Sequence, residues 1–415
     1  MKRYETYKDS GIQWWEEIPT HWDLKKAKHI FSLVTENVSD SSLPKIALEN
    51  IESWTGKYIE TDSDFMGEGV EFKKDDILFG KLRPYLAKVY KAEFAGQAVG
   101  DIYVFRGNEE QNPEYLKYLL LSYPFISVVD GSTYGAKMPR ANWDFISHLV
   151  LPCPPKTEQV TIAAFLDHKV GKIDATIAEK EQMLKDLKNY RSAIISEAVT
   201  KGLDKNVEMK DSGIEWCGYI PIHWQVLKIG YIFQNLDYLR QPISSENRER
   251  NNPQYEYYGA SGVIDKIDSY NVNDKVLLIG EDGANLVSRT LPLIYKAEGK
   301  FWVNNHAHIL KPISSDYDYM AFLLETADYT NYITGSAQPK LSQEKLSSVK
   351  LPVPPIEEQK QIAKKLICIV PLIDRSLIEI EKIIKDLKSY KSALITEVVT
   401  GKIDLREWKS KEEND

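Results

Sequence analysis

Apolar residues recur at steps of three, four or seven positions in two stretches of the chain, which places them on one face of a helix. They are Ile177, Leu184, Leu187, Ile194 and Ala198 in the first stretch, and Leu377, Ile384, Leu387, Leu394 and Val398 in the second. Each stretch follows a Pro-Pro pair and ends near a glycine, Gly202 or Gly401. The pattern therefore predicts two long helices, each interrupted near its start, where Gly171 and Pro371 fall.

The two helical stretches belong to an internal repeat with an offset close to 200 residues. DSGIQWWEEIPTHW from Asp9 matches DSGIEWCGYIPIHW from Asp211, and LPCPPKTEQ from Leu151 matches LPVPPIEEQ from Leu351. The segments 30–150 and 232–350, which lie between these motifs, have little in common. The sequence thus predicts an α+β protein with an internal pseudo-twofold duplication. It divides into a globular domain at 1–155, a helical spacer at 156–210, a second globular domain at 211–355 and a C-terminal helical spacer at 356–415.

If the two helices pack about the pseudo-twofold axis of the repeat, they run antiparallel as a coiled coil. One register pairs apolar residues throughout: Ile177 with Leu394, Leu184 with Leu387, Leu187 with Ile384, and Ile194 with Leu377. It also brings Glu181 near Lys391 and Arg191 near Glu381, which are opposite charges in both cases. These twelve residues are the predicted helix interface.

Composition restricts the class of protein that this architecture can belong to. The chain has 415 residues, 43% hydrophobic and 27% charged, which is enough to bury real cores. No apolar run approaches the ~20 residues that span a bilayer, and MKRYETYKDSG at the start lacks the apolar core of an export signal. We therefore expect a cytoplasmic protein without membrane contact. The three cysteines are widely separated and are expected to be buried, and the net charge of -8 excludes a generally basic surface.

Motifs for catalysis are missing from the sequence. Every Gly-Lys pair lacks the Ser or Thr of a phosphate-binding loop, and NPEY at Asn112 and NPQY at Asn252 lack the second proline of an adenine methyltransferase motif. His306 and His308 alternate on a predicted strand, where zinc would need further ligands, so a structural role is favoured for them. A packing role is likewise favoured for His21 and His223. We assign no catalytic residue, no metal and no cofactor to this chain.

The duplicated DSGIxW and IPxHW motifs, the LPxPPxxEQ helix starts and the final YKSALITEVVTGKID resemble the specificity subunit of type I restriction-modification systems. DDILFGKLRPYLAKV from Asp75, YYGASGVID from Tyr257 and FWVNNHAHIL from Phe301 are also similar to that family. The resemblance implies two target-recognition domains, each reading one half of a split site in double-stranded DNA. It further implies two modification subunits that methylate adenine N6 with S-adenosylmethionine, and restriction subunits that use ATP and Mg.

Candidate DNA contacts are polar or basic residues in Gly-rich parts of the inserts, because bases are read by donors and acceptors and phosphates by cations. They are Lys81, Arg83, Tyr85, Lys88, Tyr134, Lys137 and Arg140 in the first insert, and Tyr258, Ser261, Arg289, Gln338 and Lys340 in the second. Glu281 and Asp282 have two interpretations, an acceptor for a cytosine amine and, preferred, an acidic turn beside a tight glycine.

Two classes of function compete. The first is a DNA-sequence reader within a methylation and restriction complex, and the second is a coiled-coil adaptor that assembles protein partners without touching DNA. The two inserts differ while the frame around them repeats, and this favours the DNA-sequence reader, because two different half-sites need two different surfaces. The net charge of -8 is the argument for the adaptor.

Overall fold

A computed structural model of the protein describes residues 2–12, 14–38, 42–61, 68–133, 137–248 and 253–409. The chain forms two compact units, Met1–Gln182 with Glu381–Asp415, and Met183–Ile380. Each unit therefore combines one mixed α/β domain with one segment of each long helix. Two of the predicted architectural features, two mixed domains and two long helices, are confirmed.

The domain of the first unit is built on two four-stranded sheets, with strand orders β4-β11-β8-β9 and β5-β7-β10-β6. Its strands are β1 Tyr7–Ile12, β2 Trp15–Pro19, β3 Asp23–Lys26, β4 Phe31–Val34, β5 Asn37–Val38, β6 Lys45–Ile46, β7 Gly69–Phe72, β8 Ile77–Gly80, β9 Val89–Lys91, β10 Gly96–Ala98, β11 Ile102–Gly107 and β12 Val150–Cys153. Its helices are α1 Pro113–Leu121, α2 Tyr123–Gly131 and α3 Trp143–His148, with short 3-10 turns at Ala27–His29, Leu48–Asn50 and Pro84–Leu86. The long helix α4, Lys156–Lys201, follows.

The domain of the second unit is built on one six-stranded sheet, with order β16-β21-β19-β20-β17-β18. Its strands are β13 Met209–Asp211, β14 Tyr219–Pro221, β15 Gln225–Lys228, β16 Phe233–Asn235, β17 Tyr255–Gly259, β18 Gly262–Ile267, β19 Val272–Gly280, β20 Ile294–Val303, β21 Ala307–Pro312 and β22 Lys350–Val353. Its helices are α5 Ile229–Ile232, α6 Asn285–Ser288, α7 Tyr317–Thr326 and α8 Gln343–Ser348, with 3-10 turns at Asp237–Leu239, Ser245–Asn247 and Thr330–Tyr332. The long helix α9, Ile356–Val399, follows.

The predicted interruptions of the long helices are wrong, because α4 continues through Gly171 and α9 through Pro371. A proline inside a helix removes one backbone hydrogen bond, and here its ring lies on the exposed side. Val370 and Ile373, on either side of it, are buried and keep the helix packed on its domain. The predicted ends are confirmed, since Gly202 and Gly401 have φ of 77° and 75° just beyond the helices.

The helix segments are antiparallel within each unit, but the ion pairs between them differ from the predicted charge pairs. In the first unit Lys391 donates to Asp174 at 2.8 Å and Lys388, not Lys391, pairs with Glu181 at 2.9 Å. In the second unit Arg191 pairs with Asp374 at 2.5 Å. Lys391 and Arg191 thus each find a carboxylate seven residues before the predicted partner. A slip of one heptad restores the same apolar seam, so the apolar pattern cannot distinguish the two registers.

The predicted interface residues differ in burial. In the first unit Ile177, Ile384 and Leu394 are buried, while Leu387 is half-buried and Glu181 and Glu381 are exposed. In the second unit Leu184, Leu187, Arg191, Ile194 and Leu377 are all half-buried.

The repeated His-Trp motif of each unit is held by the glutamate that opens its long helix. Glu158 hydrogen-bonds His21 at 2.9 Å, and Tyr4 also donates to it. In the other unit Glu358 hydrogen-bonds His223 at 2.8 Å and accepts from the Trp224 indole at 3.1 Å. The histidines therefore have structural contacts in the duplicated frame.

The glutamine after each of these glutamates joins the frame to the insert. Gln159 accepts from the backbone amide of Asn112 and Gln359 from that of Asp316, both at 2.8 Å. Asn112 and Asp316 in turn cap helices α1 and α7. The two unlike inserts are consequently attached to the frame by the same polar contacts.

Candidate nucleic-acid interface

In the first unit, two segments that contain candidate DNA contacts lie side by side, and we call residues 81–88 and 137–142 the first loop pair. Leu82 and Arg140 form a β-bridge. The amide of Arg83 donates to Pro139 at 2.8 Å, and the amide of Ala141 donates to Lys81 at 2.8 Å. The segment that follows β8 and the segment that precedes α3 thus form one surface.

Two cations of the first loop pair share one carboxylate. Arg140 donates two hydrogen bonds to Asp101, at 3.1 and 3.0 Å, and Lys81 lies 3.7 Å from it. The Arg140 guanidinium, helped by Lys81, holds the pKa of Asp101 below its ordinary value. The Arg140 side chain remains 50% exposed, so its charge is positioned by Asp101 and still faces solvent.

The second unit contains an equivalent surface, the second loop pair, formed by residues 281–289 and 334–342. Asp282 and Lys340 form a β-bridge, and the amide of Gly283 donates to Pro339 at 3.0 Å. Lys340 is 55% exposed and pairs with Glu281 at 3.1 Å. Burial alone would raise the pKa of the Glu281 carboxyl, but Arg240 and Lys340 outweigh it and lower that pKa. Arg140 and Lys340 therefore have equivalent backbone positions with different carboxylate partners.

The other candidate residues differ in their exposure to solvent. Arg83, Tyr85, Lys137, Ser261 and Gln338 are exposed, and all except Ser261 lie in a loop pair. Ser261 lies in the turn between β17 and β18. Tyr134 lies outside the described residues.

Three candidates have side chains that bond to or pack within their own domain. Lys88 donates to the carbonyls of Leu48 and Ile51, at 2.6 and 2.8 Å, and burial lowers its pKa. Tyr258 is buried in the sheet core because the polar-looking segment around it forms strand β17. The guanidinium of Arg289 donates to the carbonyls of residues 325 and 327 at the end of α7, at 2.9 and 2.5 Å.

Sequence reasoning missed Asp101, Tyr103 and Asp237 beneath the loop pairs, and it gave His308 a structural role without identifying its contacts. A signal was present, because Pro139-Arg140 and Pro339-Lys340 are each followed after one residue by Asn or Ser, the caps of α3 and α8. Aligning these short motifs would have placed the two loop pairs at equivalent positions.

Other kinds of site find no support in the described ranges. No cluster of three or more His, Cys, Asp and Glu side chains there could hold a metal ion, and none of the helices there has the length and apolarity to cross a bilayer. Cys153 and Cys217 are buried as expected, whereas Cys368 is exposed, which corrects that expectation.

Two unlike sheet domains that present matched loop pairs on a duplicated helical frame define a two-part recognition protein. The family described as type I restriction modification DNA specificity domain matches residues 29–186 and 221–386, and the chain belongs to this family. A Methanocaldococcus jannaschii chain named as the MjaX specificity subunit is 24% identical, over 96% of this chain and 98% of its own length.

Solved structures show the same fold. One, from a study of assembly and conformational transition of the type I R-M system, has a TM-score of 0.72 at 15% identity and covers 93% of this chain and 99% of its own. The HsdS subunit of Thermoanaerobacter tengcongensis has a TM-score of 0.51 at 16% identity and covers 93% and 98%.

Proposed function

We propose that this chain is the sequence reader of a type I restriction-modification complex and that each unit reads one half of a split, asymmetric site in double-stranded DNA. The observation that carries this proposal is the pair of loop surfaces, which share their backbone hydrogen bonds and differ in side chains. Equivalent backbones with different side chains suit two different half-sites. The domains 1–155 and 211–355 are the proposed readers, and the helical segments 156–210 and 356–415 the proposed spacers.

Family membership places the chain among the non-catalytic specificity subunits, which assemble with other subunits and with DNA. We propose that its partners are two modification subunits that transfer a methyl group from S-adenosylmethionine to adenine N6. Restriction subunits that use ATP and Mg would complete the nuclease. Because such a complex acts on cellular DNA, we place it in the cytoplasm.

The proposed contacts are the exposed candidates of the loop pairs other than Arg289, namely Arg83, Tyr85, Lys137, Arg140, Gln338 and Lys340, together with Ser261 of the turn between β17 and β18. Arg140 and Lys340 are the cations whose backbones are held by both segments of a loop pair. An arginine can donate two hydrogen bonds to a guanine edge or to a phosphate, while a lysine offers a point charge.

The first experiment is sequencing of adenine methylation in cells with this gene and its methyltransferase partner, compared with a deletion of this gene alone. A split methylated motif that disappears on deletion supports the proposal and identifies both half-sites. An unchanged methylome under confirmed expression of both proteins rejects it in favour of the adaptor.

The second experiment measures binding of that motif by the reconstituted complex at several salt concentrations. We expect Arg140→Ala to weaken binding, with a salt slope smaller by about one if the contact is a phosphate. A base contact instead gives a loss of ~1–3 kcal/mol confined to one base position. The matched control is Arg3→Ala, which removes another exposed arginine that is paired with a carboxylate, Glu17, but lies outside the loop pairs. Equal effects of the two changes contradict the assignment of Arg140.

A further inference from the structure

The same strand position lies beneath the loop pair in both units. Strand β11 pairs with β8 so that Ile102 faces Gly80, and β21 pairs with β19 so that Ala307 faces Gly280. Tyr103 and His308, the next residues along these strands, are therefore structural equivalents. Their different side chains conceal the equivalence from sequence comparison.

The two side chains hydrogen-bond backbone carbonyls at equivalent positions of the two units. The Tyr103 hydroxyl donates to the carbonyl of Ala141 at 3.1 Å, and His308 Nε2 lies 2.8 Å from the carbonyl of Leu341. Ala141 and Leu341 directly follow Arg140 and Lys340 in sequence. Each contact therefore fixes the backbone that carries the exposed cation of a loop pair.

The two units differ in the protonation state that this hydrogen bond requires. Burial raises the pKa of Tyr103, so its hydroxyl keeps its proton over the whole neutral range. His308 is completely buried, and its other nitrogen, Nδ1, lies 2.6 Å from Asp237 Oδ2. A carboxylate and a carbonyl are both acceptors, whereas a neutral imidazole has only one N–H. Both hydrogen bonds of His308 exist together only when the imidazole is protonated.

Charged groups surround His308. Asp237 also accepts from the amide of Ile309 at 2.8 Å, and Glu281 lies 4.0 Å from His308 Nε2. Burial alone would raise the pKa of Asp237, but its hydrogen bond with His308 and the histidine's charge outweigh it and lower that pKa. Arg240 pairs with both carboxylates and Lys340 pairs with Glu281.

One more titratable pair lies nearby, since His306 contacts Asp282 at 2.7 Å. The His306 side chain is 48% exposed, so this pair is open to solvent, unlike His308.

We infer that Tyr103 and His308 are positioning residues for the two loop pairs, and that loss of the His308 proton loosens the second loop pair while the first stays fixed. The inference rests on the proposed DNA-reading function for its consequence, a binding strength that falls with rising pH through one half-site alone.

The test uses the full chain with its methyltransferase subunits and a duplex that contains the methylated motif, with binding measured from about pH 5.5 to 8.5. We expect specific binding to weaken by roughly two- to ten-fold as pH rises, the range for one lost hydrogen bond. His308→Gln, which cannot gain a charge, should remove this pH dependence. Tyr103→Phe should weaken binding by a similar factor at every pH and leave the pH profile unchanged.

The matched control is His306→Gln, which removes the neighbouring exposed histidine and should keep the wild-type pH profile. Asp237→Asn provides a second variant. Its oxygen can still accept from Ile309 while its amide nitrogen donates to Nδ1, so a neutral imidazole can donate to Leu341 and the pH dependence should disappear. A His308→Gln protein with the wild-type pH profile overturns the inference.

Hydrogen exchange of the free protein separates this inference from the proposed function. In peptides that cover 334–342, wild type should be protected more than His308→Gln at low pH and equally at high pH. Comparing the two proteins at the same pH cancels the intrinsic pH dependence of exchange. An equal difference at every pH overturns the inference. Absence of DNA binding together with the expected exchange pattern overturns the proposed function alone.

Discussion

The helix register can be tested through Asp174, because its contact with Lys391 defines the register in the first unit. The two side chains are only 12% and 8% exposed, and Lys57 approaches the other carboxylate oxygen at 2.9 Å. Asp174→Asn leaves Lys391 as a buried cation without a counter-charge. Removing one partner of a buried pair costs ~3–5 kcal/mol.

The second unit supplies a matched control at the equivalent position of the repeat. Arg191 and Asp374 are 35% and 42% exposed, so solvent screens their pair. Exposed pairs contribute only ~0–1 kcal/mol, so Asp374→Asn should be nearly neutral. The same chemical change at two equivalent sites thus isolates the effect of burial.

Calorimetry of the full chain measures the difference. For a unit of this size, a loss of ~3 kcal/mol lowers the unfolding midpoint by about 6–12 °C. Lys391→Met added to Asp174→Asn should restore much of the loss, since the buried charge is gone. Equal destabilisation by Asp174→Asn and Asp374→Asn would refute the reasoning and the register with it.

The pH dependence follows from the same contact. Burial alone would raise the pKa of Asp174, but Lys391 and Lys57 outweigh it, so the native pKa is lower than the unfolded one. The stabilisation is therefore complete above the unfolded pKa of about 3.9 and is lost as pH falls through the native value. The advantage of wild type over Asp174→Asn should shrink in acid.

Two further predictions concern the same frame and the second sheet. Gly401→Ala should destabilise the protein by more than ~1 kcal/mol and by more than Gly202→Ala, as measured by urea unfolding. At similar φ, a Cβ at 401 would overlap the Pro19 ring, whereas a Cβ at 202 would lie 2.8 Å from the Glu358 carboxylate and 3.2 Å from Trp224. Equal losses would contradict this. Burial raises the pKa of Glu325, whose carboxylate accepts backbone hydrogen bonds from residues 293 and 294. Glu325→Gln should therefore gain stability relative to wild type as pH rises from the unfolded-state pKa of about 4.3 through the higher native pKa. A constant stability difference between about pH 4 and 8 would contradict this.

The duplicated frame could be predicted from local sequence features. Helix periodicity, the Pro-Pro starts and the glycines at 202 and 401 act over a few residues, so the two long helices and their ends follow from sequence. The repeated motifs also identify the family without any structure. The glutamates at 158 and 358 were visible only as helix-start residues, because their histidine partners are more than a hundred residues away in the chain.

The interruption at Pro371 illustrates a limit of local rules. The sequence predicts a break because proline lacks an amide proton, and the rule holds for an isolated helix. In the folded unit the buried neighbours Val370 and Ile373 keep the segment packed, and the helix continues. Tertiary packing thus overrides a local preference.

Sequence by itself determined the class of fold, the duplicated frame and the two unlike inserts. Only the tertiary structure decided the helix register, the burial of Tyr258 and the joining of segments near 82 and 140 and near 282 and 340. The physical reason is that a seam of heptads is unchanged by a shift of seven residues, and only a buried ion pair distinguishes the shifts. Strand pairing likewise brings Tyr103 and His308 beneath equivalent carbonyls, a relation that no local pattern contains.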